Sequence, residues 1–110
     1  MKIALPVENN SLCLHFGHCE NFQLFDIENG GIKKIETVKA PPHEPGLLPR
    51  WLFDKDVNIV IAGGMGQKAI KLFQDQHIQV IVGAPISESS SLVKLFLAGE
   101  LKVSENVCDH

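Results

Sequence analysis

The sequence has no apolar run approaching the roughly 20 residues needed to cross a bilayer. No secretory leader is expected either, because Met1-Lys2 runs directly into the strand-like Ile3-Ala4-Leu5. The expectation is therefore a cytoplasmic protein without a membrane partner. A basic excess is also missing. Lys and Arg number 10 against 13 Asp and Glu, for a formal net charge of −3, and Lys33-Lys34 is the sole adjacent lysine pair. Surfaces that grip phosphate backbones carry a basic patch, so nucleic acid is excluded as the main partner. There is no internal repeat and no low-complexity run beyond Ser89-Ser90-Ser91. C-x-x-C is absent, which excludes a zinc ribbon or a ferredoxin. Three cysteines are an odd number, and in a reducing compartment they argue against a disulfide framework. They are expected as inert core thiols or metal ligands.

What is present is an α/β pattern. Met1 to Glu8 alternates, with Met1, Ile3, Leu5 and Val7 on one face, and reads as a strand in which Pro6 interrupts pairing on one side. Asn9 to Cys19 is a polar loop. Asn21 to Glu28 and Ile32 to Lys39 flank Asn29-Gly30, a strong hairpin signal. A proline-dense loop from Ala40 to Pro45 leads to a helix striped by Leu47, Leu48, Trp51 and Leu52, in which Pro49 is tolerable only in the first turn. Val57 to Ala62 and Ile78 to Val82, apolar except for Asn58 and Gln79, read as buried strands, as in a sheet covered on both faces. Between them Gly63-Gly64-Met65-Gly66 turns into a helix over Gln67 to Gln76. A last helix, N-capped by Ser87, places Leu92, Val93, Phe96 and Leu97 inward and stops at Gly99. The tail 100–110 is expected to be short, polar and frayed, with Leu101 and Val103 in position to pair briefly. One domain over residues 1–110 follows from this length. Parallel strands need right-handed crossovers, so the elements assemble into a three-layer α/β/α sandwich around a mixed five-stranded sheet.

Ligands in open α/β sheets bind beyond the carboxyl ends of strands. Three loops compete for that rim. Cys13-Leu14-His15-Phe16-Gly17-His18-Cys19 packs two thiols and two imidazoles into seven positions. These are soft and borderline ligands for iron, zinc and copper. Cys19 is open between a small buried hydrophobe and a ligand, and Cys13 reads more readily as core. His15 can serve the loop's own hydrogen bonding, whereas His18 suits a ligand. His43 stands in the stiff Pro41-Pro42-His43-Glu44-Pro45-Gly46 loop, which suits preorganised ligation. Cys108, in Cys108-Asp109-His110, offers a third arm but sits at an end expected to fray. His77 follows a helix and reads as a partner of its C-terminal dipole.

The glycine turn is neither G-x-G-x-x-G nor a Walker A loop. Its N–H groups, with the helix that follows, suit an anion: a phosphate or the sulfide face of a cluster. The competing reading is a tight turn needing glycine for positive φ. Met65 is open between core and a thioether over a ligand.

Taken together and in order, His15-Phe16-Gly17-His18-Cys19, Pro42-His43-Glu44-Pro45-Gly46 with Pro49 and Trp51-Leu52, and Gly63-Gly64-Met65-Gly66 resemble the dinitrogenase iron–molybdenum cofactor biosynthesis family. That family includes NifX, NafY and the C-terminal domain of NifB, and the likeness runs from Met1 to about Gly99. It implies a ribonuclease-H-like fold and a non-catalytic role. That role is binding or carrying an iron–sulfur or iron–molybdenum–sulfur cluster, or its precursor, for assembly or recipient proteins. Relatives of this size also occur outside nitrogen-fixing organisms, so no nitrogenase pathway is implied. The thiols Cys13, Cys19 and Cys108 are not general to the family and put the ligand set in question. On this reading Cys13, His15, His18, Cys19, His43 and Cys108 are candidate metal ligands, and Gly63, Gly64, Met65 and Gly66 candidate cofactor contacts. A homodimer sharing one site between two copies has no sequence signal of its own.

The alternative is a mononuclear zinc or other metal site on His15, His18, Cys19 and His43. A nuclease, suggested by the fold alone, needs clustered carboxylates for Mg²⁺. The first strand has only Glu8 at its end, and Asp26 and Glu28 read as solvent-facing. A thiol enzyme with Cys19 as nucleophile and His43 as base, or a nucleotide site on the glycine turn, lacks a supporting motif.

Overall fold

The computed structural model describes residues 1–16, 19–42 and 46–104. The central strand, β1 (Lys2–Glu8), is buried along most of its length. It pairs antiparallel with β3 (Asn21–Glu28), from Lys2↔Asp26 to Val7↔Asn21. The chain returns as β4 (Gly31–Lys39) through Asn29 and Gly30, whose φ of 55° and 77° are the two positive values of a type I′ hairpin. On the other side of β1, β5 (Ile59–Ile61) and β6 (Gln79–Ile81) run parallel. The order is β4-β3-β1-β5-β6. One addition to the expected five strands is β2 (Ser11–Leu12), two residues antiparallel to the end of β1.

Alternation along β1 and β3 builds two cores. Ile3, Leu5, Val7, Phe25 and Ile27 meet Leu92 and Val93 of α3 (Ser89–Leu97) on one face. Ala4, Phe22, Leu24 and Val60 meet Leu48 and Leu52 of α1 (Leu47–Asp54) and Phe73 of α2 (Gln67–Asp75) on the other. The result is the expected three-layer, ribonuclease-H-like sandwich. Pro49 is the third residue of α1, within the first turn, where its missing N–H has no intrahelical role.

Helix α3 ends where expected. Gly99 takes φ 74°, and the N–H groups of Gly99 and Glu100 donate to the carbonyls of Phe96 and Leu95, a Schellman termination. Its start differs from expectation. The cap is Glu88 rather than Ser87, because a bridge between Ser11 and Glu88 keeps the chain extended one residue longer. Ser87 instead offers its carbonyl to the Leu12 N–H at 2.9 Å. The tail is docked as far as it is described. Leu101 packs against the α3-side core, and the Ser104 N–H donates to the Gly83 carbonyl at 2.8 Å. Gly83 has φ 83°, and any Cβ there would run into the Ser104 backbone.

One polar group interrupts the α3-side face of β3. Gln23 is 7% exposed and sits in register with Phe25 and Ile27. Its amide donates to Asn10 Oδ1 at 3.0 Å and Thr37 Oγ1 at 3.3 Å, and its carbonyl oxygen accepts from the buried Ser89 hydroxyl. This ties the β1–β2 turn, β3, β4 and the start of α3 together. Ser89→Ala removes the hydroxyl donor to a buried oxygen and should lower unfolding free energy by about 1–3 kcal/mol. Urea denaturation measures it, and the Gln23→Leu, Ser89→Ala double variant should recover most of the loss.

Candidate functional site

The site begins with an interruption in the sheet. β5 pairs with β1 only at Ile3↔Ile59 and Ala4↔Val60, while β1 continues to Glu8. In a strand the N–H and C=O of one residue face the same edge. The Pro6 carbonyl accepts the Cys13 N–H at 2.9 Å, so the missing Pro6 N–H faces that same edge and costs β1 no bond to β3. The chain reverses at Asn9 and Asn10, both left-handed with φ of 53° and 66°. After β2 it enters the notch left between the ends of β1 and β5.

There the Cys13–Phe16 segment meets the glycine turn. The Gly64 N–H donates to the Leu14 carbonyl, and the Phe16 N–H donates to the Gly64 carbonyl, each at 2.9 Å. His15 and Gly64 form a parallel bridge. A Cβ on Gly63 would lie 3.0 Å from the Leu14 carbonyl oxygen. The glycine requirement is thus close backbone approach at Gly63. Positive φ, the competing expectation, does not apply: Gly63, Gly64 and Gly66 are outside the left-handed region. The Phe16 ring anchors the segment, packing edge-on to Phe22 at 5.7 Å and Phe73 at 5.4 Å, with Trp51 at 5.6 Å from Phe22. The segment is therefore fixed to β3 and α2 as well as to the turn. The chain leaves β1 toward β3 and β4, then returns past α1 to β5 and β6 on the other side, so this rim is the topological switch point.

The predicted site residues separate into three groups. The first stands on this rim. Cys13 and Cys19 are joined by a disulfide, with Cα atoms 6.2 Å apart. This corrects the expectation of unpaired thiols. The reversal of the loop brings the two Cα atoms within disulfide reach, which the spacing alone does not reveal. Cys19 is 7% exposed, Cys13 half-buried and His15 exposed. The Cys13 and Cys19 sulfurs lie 3.8 and 3.4 Å from the His15 carbonyl oxygen.

The second group consists of the glycine-turn residues. Met65 is 1% exposed within the core under α1 and α2, so its thioether is packing and not a cover over the rim. The Gly64 N–H, expected to face a ligand, already donates to Leu14. Gly66 is exposed at the start of α2, and helix geometry leaves the Lys68 and Ala69 N–H groups without an intrahelical acceptor. The third group, His18, His43 and Cys108, lies outside the described residues. Among the described residues, no three His, Cys, Asp or Glu converge as a metal-holding cluster. His77 follows the C-cap of α2 with φ 61°.

Two contributors escaped the sequence reading. One is the Phe16 anchor, whose signal was an aromatic set between two histidines. The other is the docking of Ser104 on Gly83. Because the Gly83 N–H donates to Gly63 at 2.8 Å, the tail is anchored beside the glycine turn. Gly63→Ala should force the Cys13–Phe16 segment away from the turn and destabilise by about 1–3 kcal/mol. Hydrogen exchange should then show faster exchange at the Gly64 and Phe16 amides, with the Val60 amide little changed.

The chain is similar to known proteins in sequence and fold. A family model described as dinitrogenase iron-molybdenum cofactor matches residues 1–99. The uncharacterized protein MJ0580 of Methanocaldococcus jannaschii is 39% identical over 110 residues, covering 96% of this chain and 92% of that one. The crystal structure of PH0822 aligns with a TM-score of 0.88 at 34% identity, over 94% of this chain and 95% of that chain. The apo form of the orange protein from Desulfovibrio gigas aligns with a TM-score of 0.78 at 20% identity, over 96% and 93%, a likeness of fold.

Proposed function

Because the chain belongs to the dinitrogenase iron–molybdenum cofactor family, we propose that it binds and carries an iron–sulfur or iron–molybdenum–sulfur cluster, or a precursor of one, and catalyses no reaction of its own. The observation that carries this reading is the mutual hydrogen bonding of the Cys13–Phe16 segment and the glycine turn at the switch point. Those bonds join the segment bearing Cys13 and the exposed His15 to the turn that opens α2. The donor chemistry suits such a cargo. Thiolate and imidazole ligate iron, and amide groups at a helix start favour the negative charge on sulfide.

On this reading the metal ligands come from Cys13 and Cys19 in their reduced form, His15, His18 and His43, with Cys108 as a further arm. The amides at Gly66, Lys68 and Ala69 face the sulfide side. Only a subset of these candidates would be bound at one time, which suits a cargo that must pass on to another protein. Its partners would be assembly or recipient proteins of the cytoplasm, with neither nucleic acid nor membrane involved. A homodimer sharing one cluster is the corresponding proposal for assembly, read from the size of the loaded protein.

The test is anaerobic reconstitution of dithiol-reduced protein with ferrous iron and sulfide. Stoichiometric iron and acid-labile sulfide are expected, together with sulfide-to-metal charge-transfer absorption. The Cys19→Ala, His43→Ala double variant should lose both. A colourless protein without labile sulfide would overturn the reading. Tight zinc binding without sulfide would replace it with a mononuclear site on His15, His18, Cys19 and His43.

A further inference from the structure

The disulfide between Cys13 and Cys19 lies on the rim assigned to cargo, and sulfur that is bonded to sulfur is not a thiolate ligand. We propose that this pair is a thiol–disulfide switch that controls whether the rim can ligate a soft metal. The proposal rests on the carrier reading for the identity of the cargo, but not for the switch itself.

Three observations support a switch over a structural staple. First, the fold does not need a staple. Both faces of the sheet are covered by cores of fully buried side chains, and disulfides are a necessity chiefly in small domains lacking such cores. The bridge spans only six positions of sequence, and short loops gain least from closure. Second, the segment is held independently of the bridge. The bonds of Cys13 to Pro6, Gly64 to Leu14 and Phe16 to Gly64, and the Phe16 ring contacts, do not involve the sulfurs. Opening the bridge therefore changes sulfur chemistry while the backbone stays docked. Third, both sulfurs face the His15 carbonyl oxygen at 3.8 and 3.4 Å. A disulfide has no proton to donate there. After reduction each S–H has an acceptor already in place, so the open form is accommodated by the same backbone.

Exposure sets the order of events. Cys19 is 7% exposed and Cys13 is half-buried, so Cys13 is the more exposed partner and the expected point of attack. A thiolate of a dithiol reductant attacks Cys13 Sγ, the Cys13–Cys19 bond breaks, and Cys19 leaves as a thiolate that takes up a proton. The second thiol of the reductant then attacks its own sulfur in the mixed disulfide, releasing Cys13. The dithiol is oxidised to its disulfide, and the protein gains two electrons and two protons. The reverse reaction with a small-molecule disulfide closes the bridge. In a cytoplasmic setting a protein disulfide is typically transient or redox-sensing, which suits this behaviour.

The experiment equilibrates the wild-type chain in buffers of reduced and oxidised dithiothreitol, then counts thiols by alkylation of the denatured chain and mass spectrometry. Cadmium(II) serves as the soft-metal probe, read by thiolate-to-metal absorption after removal of the buffer thiol. The oxidised chain should alkylate at Cys108 alone and lack the absorption; the reduced chain should alkylate at all three cysteines and show it. Both changes should reverse on reoxidation, persist in Cys108→Ser and vanish in Cys13→Ser. Failure of the wild-type chain to interconvert, or equal cadmium absorption in its two forms, would overturn the switch without recourse to any variant. The carrier reading is tested separately. A reversible cadmium response with no uptake of iron and sulfide sinks the carrier and leaves the switch. Uptake of iron and sulfide by the dithiol-reduced chain, with equal cadmium absorption in the two forms, sinks the switch and leaves the carrier.

Discussion

The early end of the β1–β5 ladder is the constraint on which the rest of the rim depends. Two residue pairs join these strands, and β1 then continues to Glu8 past the end of that ladder. An open edge inside a sheet would leave backbone groups without partners, at a cost of about 1–3 kcal/mol for each one buried. The protein fills the gap with its own chain. Cys13 satisfies Pro6, and Leu14 and Phe16 satisfy Gly64. A loop that a sequence reader would treat as a free connection is therefore a surrogate strand. Its polar and sulfur-bearing residues are at the rim because the backbone bonds hold them there.

That arrangement accounts for the division of labour among the glycines. Gly63 admits the Leu14 carbonyl, Gly64 supplies the reciprocal bonds, and Gly66 opens α2. Gly83 admits Ser104 and passes its N–H to Gly63, which couples the tail to the same rim. Among the described residues, Lys2–Asp26 is a partly buried ion pair at 3.7 Å. The ion pairs Lys33–Glu28, Arg50–Asp54 and Lys71–Asp75 are exposed, and such pairs contribute about 0–1 kcal/mol each. Stability comes from the two apolar faces.

A carrier benefits from this construction. On the carrier reading proposed above, a backbone-held seat would position an anionic metal–sulfur cargo without requiring every candidate ligand to be bound at once. On the switch proposed above, the two sulfurs would add a further degree of control, since the backbone bonds that hold the segment do not involve them. Asp26 and Glu28 lie toward the hairpin end of β3, whereas the rim begins at the opposite end of that strand.

The sequence by itself determined what depends on local chain physics. Alternation placed β1 and β3, the apolar runs placed β5 and β6, Asn29-Gly30 turned the hairpin, Pro49 marked the first turn of α1 and Gly99 ended α3. Each follows from the residue and its immediate neighbours. The tertiary structure alone decided the partners. Nothing in the spacing of Cys13 and Cys19 states that they meet, because that depends on a reversal through two left-handed asparagines and on docking against a turn some fifty positions away. Nor does the sequence state that Gly64 turns its N–H toward Leu14, that Met65 faces inward, or that Glu88 displaces Ser87 as a cap. These are outcomes of packing and of the requirement that buried backbone groups find partners, and both are properties of the assembled chain.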